Sequence, residues 1–562
     1  MSTRRSSHRP TRFHLALTLI AAALGAPLCE RAEAQSSATS SKTSADSAWW
    51  RHVTRLAHDS MRGREAGSPE HRKAAEYVAD QFTRAGLRPA GAAGLGYLQP
   101  VHLVERRLDE PASRLAIVRD GREQAIALGV DGVLLARFAP TVRVDAPVVF
   151  AGYALSIPSH GHDDLAGLDL RGKVVAYLNA PPRGVPGPVI ADARSRQWEA
   201  LRAAGAVGTL VFYGAVPSAR GDVPWSRVVL TRLTPDMMLA DTTLDSLGGR
   251  PQLGAAVRAE LGDRFFAGSP HRFADVVARA DSGLPLPRSA LPVSVRAVTQ
   301  TSMRTVVSEN VAGLLPGNDP ALRDEAVVLT AHLDHEGVGQ PIRGDSIYNG
   351  AMDNASGIAA LIEVAASLGR AAREGRGPRR SVVFVAVTAE EKGLLGSRHY
   401  ARRPTVGARR LVANVNTDMF LPVMPFTRLI VNGLEESDLA DDARRVGHAM
   451  GVEVMSDPEP ERNAFVRSDQ YSFIRVGIPA LSLKVGFVRG SPEHELIRRW
   501  RAERYHAPSD DLTQPIDHAA AERFVALYAR LVREVADRPT RPRWNADSPF
   551  RRYGEPRTPA TP

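Results

Sequence analysis

One stretch constrains this chain more than any other. From Val327 to Glu391 it reads VVLTAHLDHEG, then NGAMDNASGIAALIEVA, then SVVFVAVTAEEKG. Val327 to Thr330 has the pattern of a buried strand, and His332 and Asp334 follow where that strand must end and the chain turn. In such a His-x-Asp pair the carboxylate can hold one imidazole nitrogen and leave the other free for a metal, although HLDH alone fits a solvated loop equally well. Asp353 and Asn354 precede Ile358, Leu361, Ile362, Val364, Ala365 and Leu368, which recur at helical spacing. Taken singly, Asp353 reads as an acid at a helix start. Ser381 to Thr388 is a fully apolar strand pattern that runs into Glu390 and Glu391, and adjacent carboxylates repel unless a positive charge lies near.

Two later pieces extend the set. Leu411 to Thr417 is strand-like and ends at Asp418, and His506 follows Tyr505 in the polar loop YHAPSDDL before the last helix. Each is ordinary by itself. Five acids and two histidines, all after strands or at helix starts, are together the pattern of a metal site on an α/β sheet.

The order His332, Asp353, Glu390-Glu391, Asp418, His506, framed by AHLDH, GAMDNASG and AEEKGLLGS, resembles the co-catalytic zinc exopeptidases that include bacterial leucyl aminopeptidases and glutamate carboxypeptidase (peptidase clan MH). The resemblance runs from about Ala45 to Asp537. It implies an α/β fold, a mixed, mostly parallel central sheet flanked by helices, with an inserted β-rich protease-associated domain. It also implies two zinc ions bridged by Asp353, one completed by Glu391 and His506 and the other by His332 and Asp418. Glu390 would be the general base, and Asp334 would orient His332 from behind. In RSDQYSF, Ser468, Asp469 and Phe473 are the implied substrate-side residues, with a polar turn and a core phenylalanine as the alternative. Gln470 and Phe465 depart from the histidine and tyrosine that some relatives carry there. The activity implied is an exported aminopeptidase. The alternatives are a metallocarboxypeptidase of the same fold, a one-zinc glutaminyl cyclase, and an inactive receptor-like binding protein, which would have lost ligands that are all retained here.

At 562 residues the chain is too long for one ordinary domain of about 100 to 200 residues. Residues 1–34 read as a signal peptide: four arginines before the apolar run Phe13 to Leu28, then Ala32-Glu33-Ala34 as the cleavage point. That run is shorter than the roughly 20 residues of a membrane span, so a secreted or periplasmic protein without stable membrane insertion is expected. The single cysteine, Cys29, lies within the signal, which leaves oxygen and nitrogen as metal donors. Residues 35–46 are a Ser/Thr/Ala-rich leader expected to be mobile. Residues 47–146 are expected to open the peptidase domain, 147–295 to form the insert, 296–537 to complete the peptidase domain, and the Arg/Pro-rich 538–562 to be a disordered tail. Peptides are the expected partners. The net charge of +10, with 67 arginines against five lysines and no basic run interleaved with aromatics, gives no reason to expect nucleic acid.

Overall fold

The computed structural model describes residues 47–135, 139–216, 224–244, 251–407 and 410–555; the expected signal peptide and leader lie outside these residues. The fold is α/β, with a large mixed sheet that is parallel at its centre and flanked by helices. Strand Glu325–His332 lies in the middle. It pairs in parallel with Ser381–Val387 on one side and Arg410–Thr417 on the other, and Ala480–Val485 extends the parallel set beyond Arg410–Thr417. Antiparallel strands close both flanks: Arg288–Leu315 beside Ser381–Val387, and Arg428–Asn432 beside Ala480–Val485.

The continuous apolar runs of the central strands follow from burial on both faces. On one face Val327, Leu329, Ala331, Phe384 and Ala386 meet helices Ala48–Leu56, Pro69–Ala85, Ser356–Arg373 and His518–Asp537. On the other, Val328, Val383, Val385 and Val387 pack with Tyr400, Ala401 and Phe473. Helix Ser356–Arg373 is apolar nearly all round because it is sandwiched between the sheet and other helices.

Arg288–Leu315 is the hinge of the architecture. Its first part pairs with Thr141–Ala151 and Arg114–Arg119 in a second sheet, and from Thr301 it pairs with Leu98–Leu108 in the first. The second sheet continues through the parallel strands Val174–Leu178, Gly208–Tyr213 and Leu253–Arg258, with its own core around Phe150, Phe212, Phe265, Phe266 and Phe273. Two expectations change. The switch of sheets falls near Asp109 and again near Thr299–Thr301, not at Pro147 and Arg296, because non-local pairing along one 28-residue strand sets it. Within the span between them, Asp236–Leu239 returns to the first sheet by pairing with Leu98–Leu108.

The chain after Arg538 is also not a loose tail as far as residue 555. Arg538 pairs with Asp438 at 2.8 Å and with Asp442 at 2.9 Å. Trp544 donates its indole N–H to Gly477 O, and Phe550 is fully buried against Phe465. Arginine and aromatic anchors on an existing surface outweigh the disorder that the composition suggests.

Candidate metal and catalytic site

All of the site's acids and histidines come together at the carboxyl edge of the parallel strands, where an open α/β sheet leaves a crevice. His332 ends its strand, Asp418 follows Thr417, and Glu390-Glu391 lie just past Val387, which stands opposite His332. Asp353 sits immediately before helix Ser356–Arg373, and His506 stands in the loop before the last helix.

Asp353 is the pivot. Its Oδ1 lies 3.2 Å from His332 Nε2, which is also 3.4 Å from Asp418 Oδ1. Its Oδ2 lies 3.3 Å from His506 Nε2, which is 3.2 Å from Glu391 Oε2. One carboxylate therefore addresses two separate imidazole–carboxylate pairs through different oxygens. His332, Asp353 and Asp418 offer donor atoms all within 4.8 Å of one another, as do Glu336, Glu391 and His506.

The electrostatics are those of a concentrated anionic cluster. Burial works against ionisation of Asp353, but the His332 and His506 imidazoles outweigh it and hold the carboxyl well below its usual range. Glu391 is likewise held low against burial, by His506 and His335. Glu390 behaves oppositely: burial, with Glu391, Asp469 and Asp418 nearby, pushes its carboxyl well up despite His332. Neighbouring carboxylates are thus separated into acceptors that stay ionised and one that readily holds a proton. Both imidazoles are raised well above their usual value by the surrounding acids, against burial. A cluster this acidic and this buried calls for cations, and its imidazole and carboxylate donors suit zinc.

Asp334 is placed as expected but works differently. The second nitrogen of His332 meets the main-chain carbonyl of Asp334, at 3.1 Å. The Asp334 carboxylate instead accepts the backbone N–H groups of Glu390, at 3.1 Å, and Glu391, at 3.3 Å. Two residues past His332 the side chain is aimed across the parallel pair, so it fixes the glutamates and not the imidazole.

The substrate-side candidates divide. Ser468 lines the cavity beside the cluster and accepts from Asn416 Nδ2. Asp469 lies fully buried behind it, and neither of its carboxyl oxygens has a hydrogen-bond partner among the described residues. Burial pushes its carboxyl up to about 7. Phe473 does not reach the cavity: it is a core residue packed 6.5 Å from Tyr400.

Three further residues support the site. Arg64, fully buried, donates to the carbonyls of Leu56, Leu333, Asn349 and Gly350 and so ties the His332 loop to the Asp353 loop. Burial lowers its guanidinium to about 10, which still leaves it charged. Asp510 accepts from the backbone of both Met352 and Asp353 at 2.9 Å. His335 bonds Glu391 Oε1 at 2.8 Å. Each lies in or beside a recognisable stretch: Arg64 in the glycine-bearing turn MRGREAGSPE, Asp510 in YHAPSDDL and His335 in AHLDH. Ala389, Met419 and His506 adopt positive φ of 53°, 48° and 52°, so the backbone is strained where the ligands are presented.

Residues 310–532 match the model of peptidase family M28. That stretch, less than half of the chain, is similar to the M28 peptidase domain. Aminopeptidase YwaD of Bacillus subtilis strain 168 is 27% identical over 221 residues, which are 39% of this chain and 42% of that protein. The probable glutamate carboxypeptidase LAMP1 of Arabidopsis thaliana is 27% identical over 215 residues, 36% of this chain and 28% of that one. The matched region thus spans less than half of either relative. Among solved structures, an aminopeptidase from Aneurinibacillus sp. strain AM-1 aligns over 88% of this chain and 94% of its own, at 19% identity and a TM-score of 0.49.

Proposed function

We propose that this M28 protein is an exported zinc aminopeptidase. The observation that carries the reading is the division of Asp353, with Oδ1 toward His332 and Oδ2 toward His506. On this reading Asp353, Glu391 and His506 would hold one zinc ion, and Asp353, His332 and Asp418 a second. Zinc when bound supplies a Lewis acid and lowers the pKa of coordinated water to about 7. The chain's own contribution is to place and move protons. Glu390, whose buried carboxyl has a raised affinity for a proton, is the general base that takes a proton from the attacking water and hands it to the leaving amine. Asp334 holds the Glu390-Glu391 backbone, and Asp510 and Arg64 hold the Asp353 loop. The second sheet is read as the protease-associated module. In support, its helix Gly187–Ser195 leans on residues 460–466, next to the cavity.

The test is hydrolysis of free-amino and amino-blocked peptides by the purified protein, with zinc measured on the same sample. Release from free-amino substrates only, abolished by a chelator and restored by zinc, supports the reading. Release from blocked peptides favours a carboxypeptidase, for which the cationic side chains lining the cavity are the specific supporting observation. Chelator-insensitive activity overturns the site.

A further inference from the structure

The cavity beside the acidic cluster has a character that the aminopeptidase reading does not use. Its volume is about 120 Å3, room for one substrate side chain or several waters. Phe420, Leu421, Ile430, Val485 and Phe487 give it apolar walls, yet Lys484, Arg462, Arg467 and Arg501 also line it. Lys484 belongs to strand Ala480–Val485. Its predecessor Leu483 stands opposite Thr417, so the lysine falls level with the start of the Asp418 loop, at the rim of the acidic cluster.

The partners of these cations decide what the cavity lacks. Arg501 is committed to Glu459, which also takes His494 at 3.2 Å. Lys484 is the contrast: among the described residues its ammonium makes no ion pair within 4 Å, and neither does the guanidinium of Arg467. The acids that influence Lys484 most are Asp418, Asp353 and Asp457. The first two belong to the acidic cluster, and Asp457 accepts the backbone N–H of Glu459 at 2.8 Å. Asp353, Glu390, Glu391, Asp418 and Asp457 line the same cavity, but on the reading above Asp353, Glu391 and Asp418 are committed to zinc, which leaves the ammonium suited to an incoming anion. The lysine is notable in a chain that otherwise uses arginine, with five lysines against 67 arginines.

We propose that Lys484, assisted by Arg467, is a carboxylate-binding subsite that gives the enzyme a preference for acidic substrates, foremost peptides with an amino-terminal Asp or Glu. The inference rests on the peptidase reading above. The same cations would also suit a terminal carboxylate, so the shared chemistry is a substrate carboxylate within one side-chain length of the scissile bond. Apolar walls carry the methylenes, and the ammonium meets the charge. Lys484 is placed to set specificity, with no part in bond cleavage.

The experiment compares kcat/KM for Glu, Gln, Asp, Asn and Leu 4-nitroanilides and for N-acetylated dipeptides ending in Glu or Gln, using the zinc-loaded wild type, Lys484→Met and Lys484→Arg. The expected result is a Glu-over-Gln ratio of about 10-fold or more that falls about 10-fold in Lys484→Met, is partly kept in Lys484→Arg, and weakens with salt. Zinc content measured on each variant separates a lost subsite from a damaged metal site. If only the acetylated dipeptides are cleaved and Lys484→Met slows them, the subsite stands, its carboxylate is the terminal one, and the aminopeptidase reading fails. Gln or Leu substrates cleaved as well as Glu, or a ratio unchanged by Lys484→Met at full zinc, overturns the subsite and leaves the peptidase standing. No turnover of any substrate overturns both.

Discussion

Asp334→Asn is the substitution that most sharply separates what this carboxylate does from what its position beside His332 suggests. The native side chain accepts two backbone N–H groups, from Glu390 and Glu391. Asparagine is nearly isosteric but offers one acceptor oxygen, so its NH2 must face the other N–H in a fully buried site. Leaving a buried donor unsatisfied costs about 1–3 kcal/mol, and hydrogen bonds to a charged acceptor are the stronger kind. The backbone has little reserve there, since Ala389 holds φ at 53°, a conformation that costs a residue with a Cβ about 1–2 kcal/mol. If most of the loss appears as displacement of Glu390, kcat falls about 10- to 100-fold, each factor of ten being about 1.4 kcal/mol. The assay is steady-state turnover of an aminoacyl 4-nitroanilide with zinc content and Tm measured on the same preparation. The expected variant is slower and less stable, with the His332 position still loaded, because the imidazole leans on a main-chain carbonyl that the substitution keeps. Full turnover and unchanged Tm, or selective loss of metal from the His332 position, would refute the reasoning.

Two further outcomes follow from the same contacts. Arg64→Met removes the donors to four carbonyls and should cost more than about 3 kcal/mol together with a 10- to 100-fold loss of zinc affinity, read by thermal unfolding and metal titration. Asp192 bridges helix Gly187–Ser195 to Tyr471, Tyr553, Arg196 and Arg552, and although burial raises its carboxyl these partners hold it below the usual value. A depressed carboxyl contributes stability above its unfolded pKa of about 3.9 and loses it as pH falls through the lower folded value. Asp192→Asn should therefore lower Tm at pH 7, with the gap to wild type closing below about pH 4; a gap independent of pH would mean that the charge is not what stabilises.

The apolar runs ending in His332, Glu390 and Asp418 could be read as strands because each is buried on both faces, and the turn chemistry put the acids where such strands end. The loop before helix Ser356–Arg373 was legible for the same reason. What could not be read was direction. Sequence spacing does not say whether His332 meets the side chain or the main chain of Asp334, since both are two residues away. Phe473 was ambiguous because a short helix shows too few turns to mark its buried face. The junction near Asp109 was hidden because a strand's sheet depends on partners up to about two hundred positions distant, as Arg304 and Glu105 illustrate. Arg64 could be picked out with the glycines of its turn, but its buried bonds to four carbonyls could not, and in so arginine-rich a chain Arg538 did not stand out from arginines that only solvate the surface.

The most direct test of the central claim measures zinc per chain alongside turnover in the wild type, Glu390→Gln and Glu391→Ala. The wild type should hold two ions. Glu390→Gln should keep both and turn over about 100-fold more slowly or worse, since only the proton acceptor is gone. Glu391→Ala should lose the ion shared with His506 and unfold at lower temperature. Loss of metal from Glu390→Gln with full retention by Glu391→Ala would contradict the division of the site around Asp353.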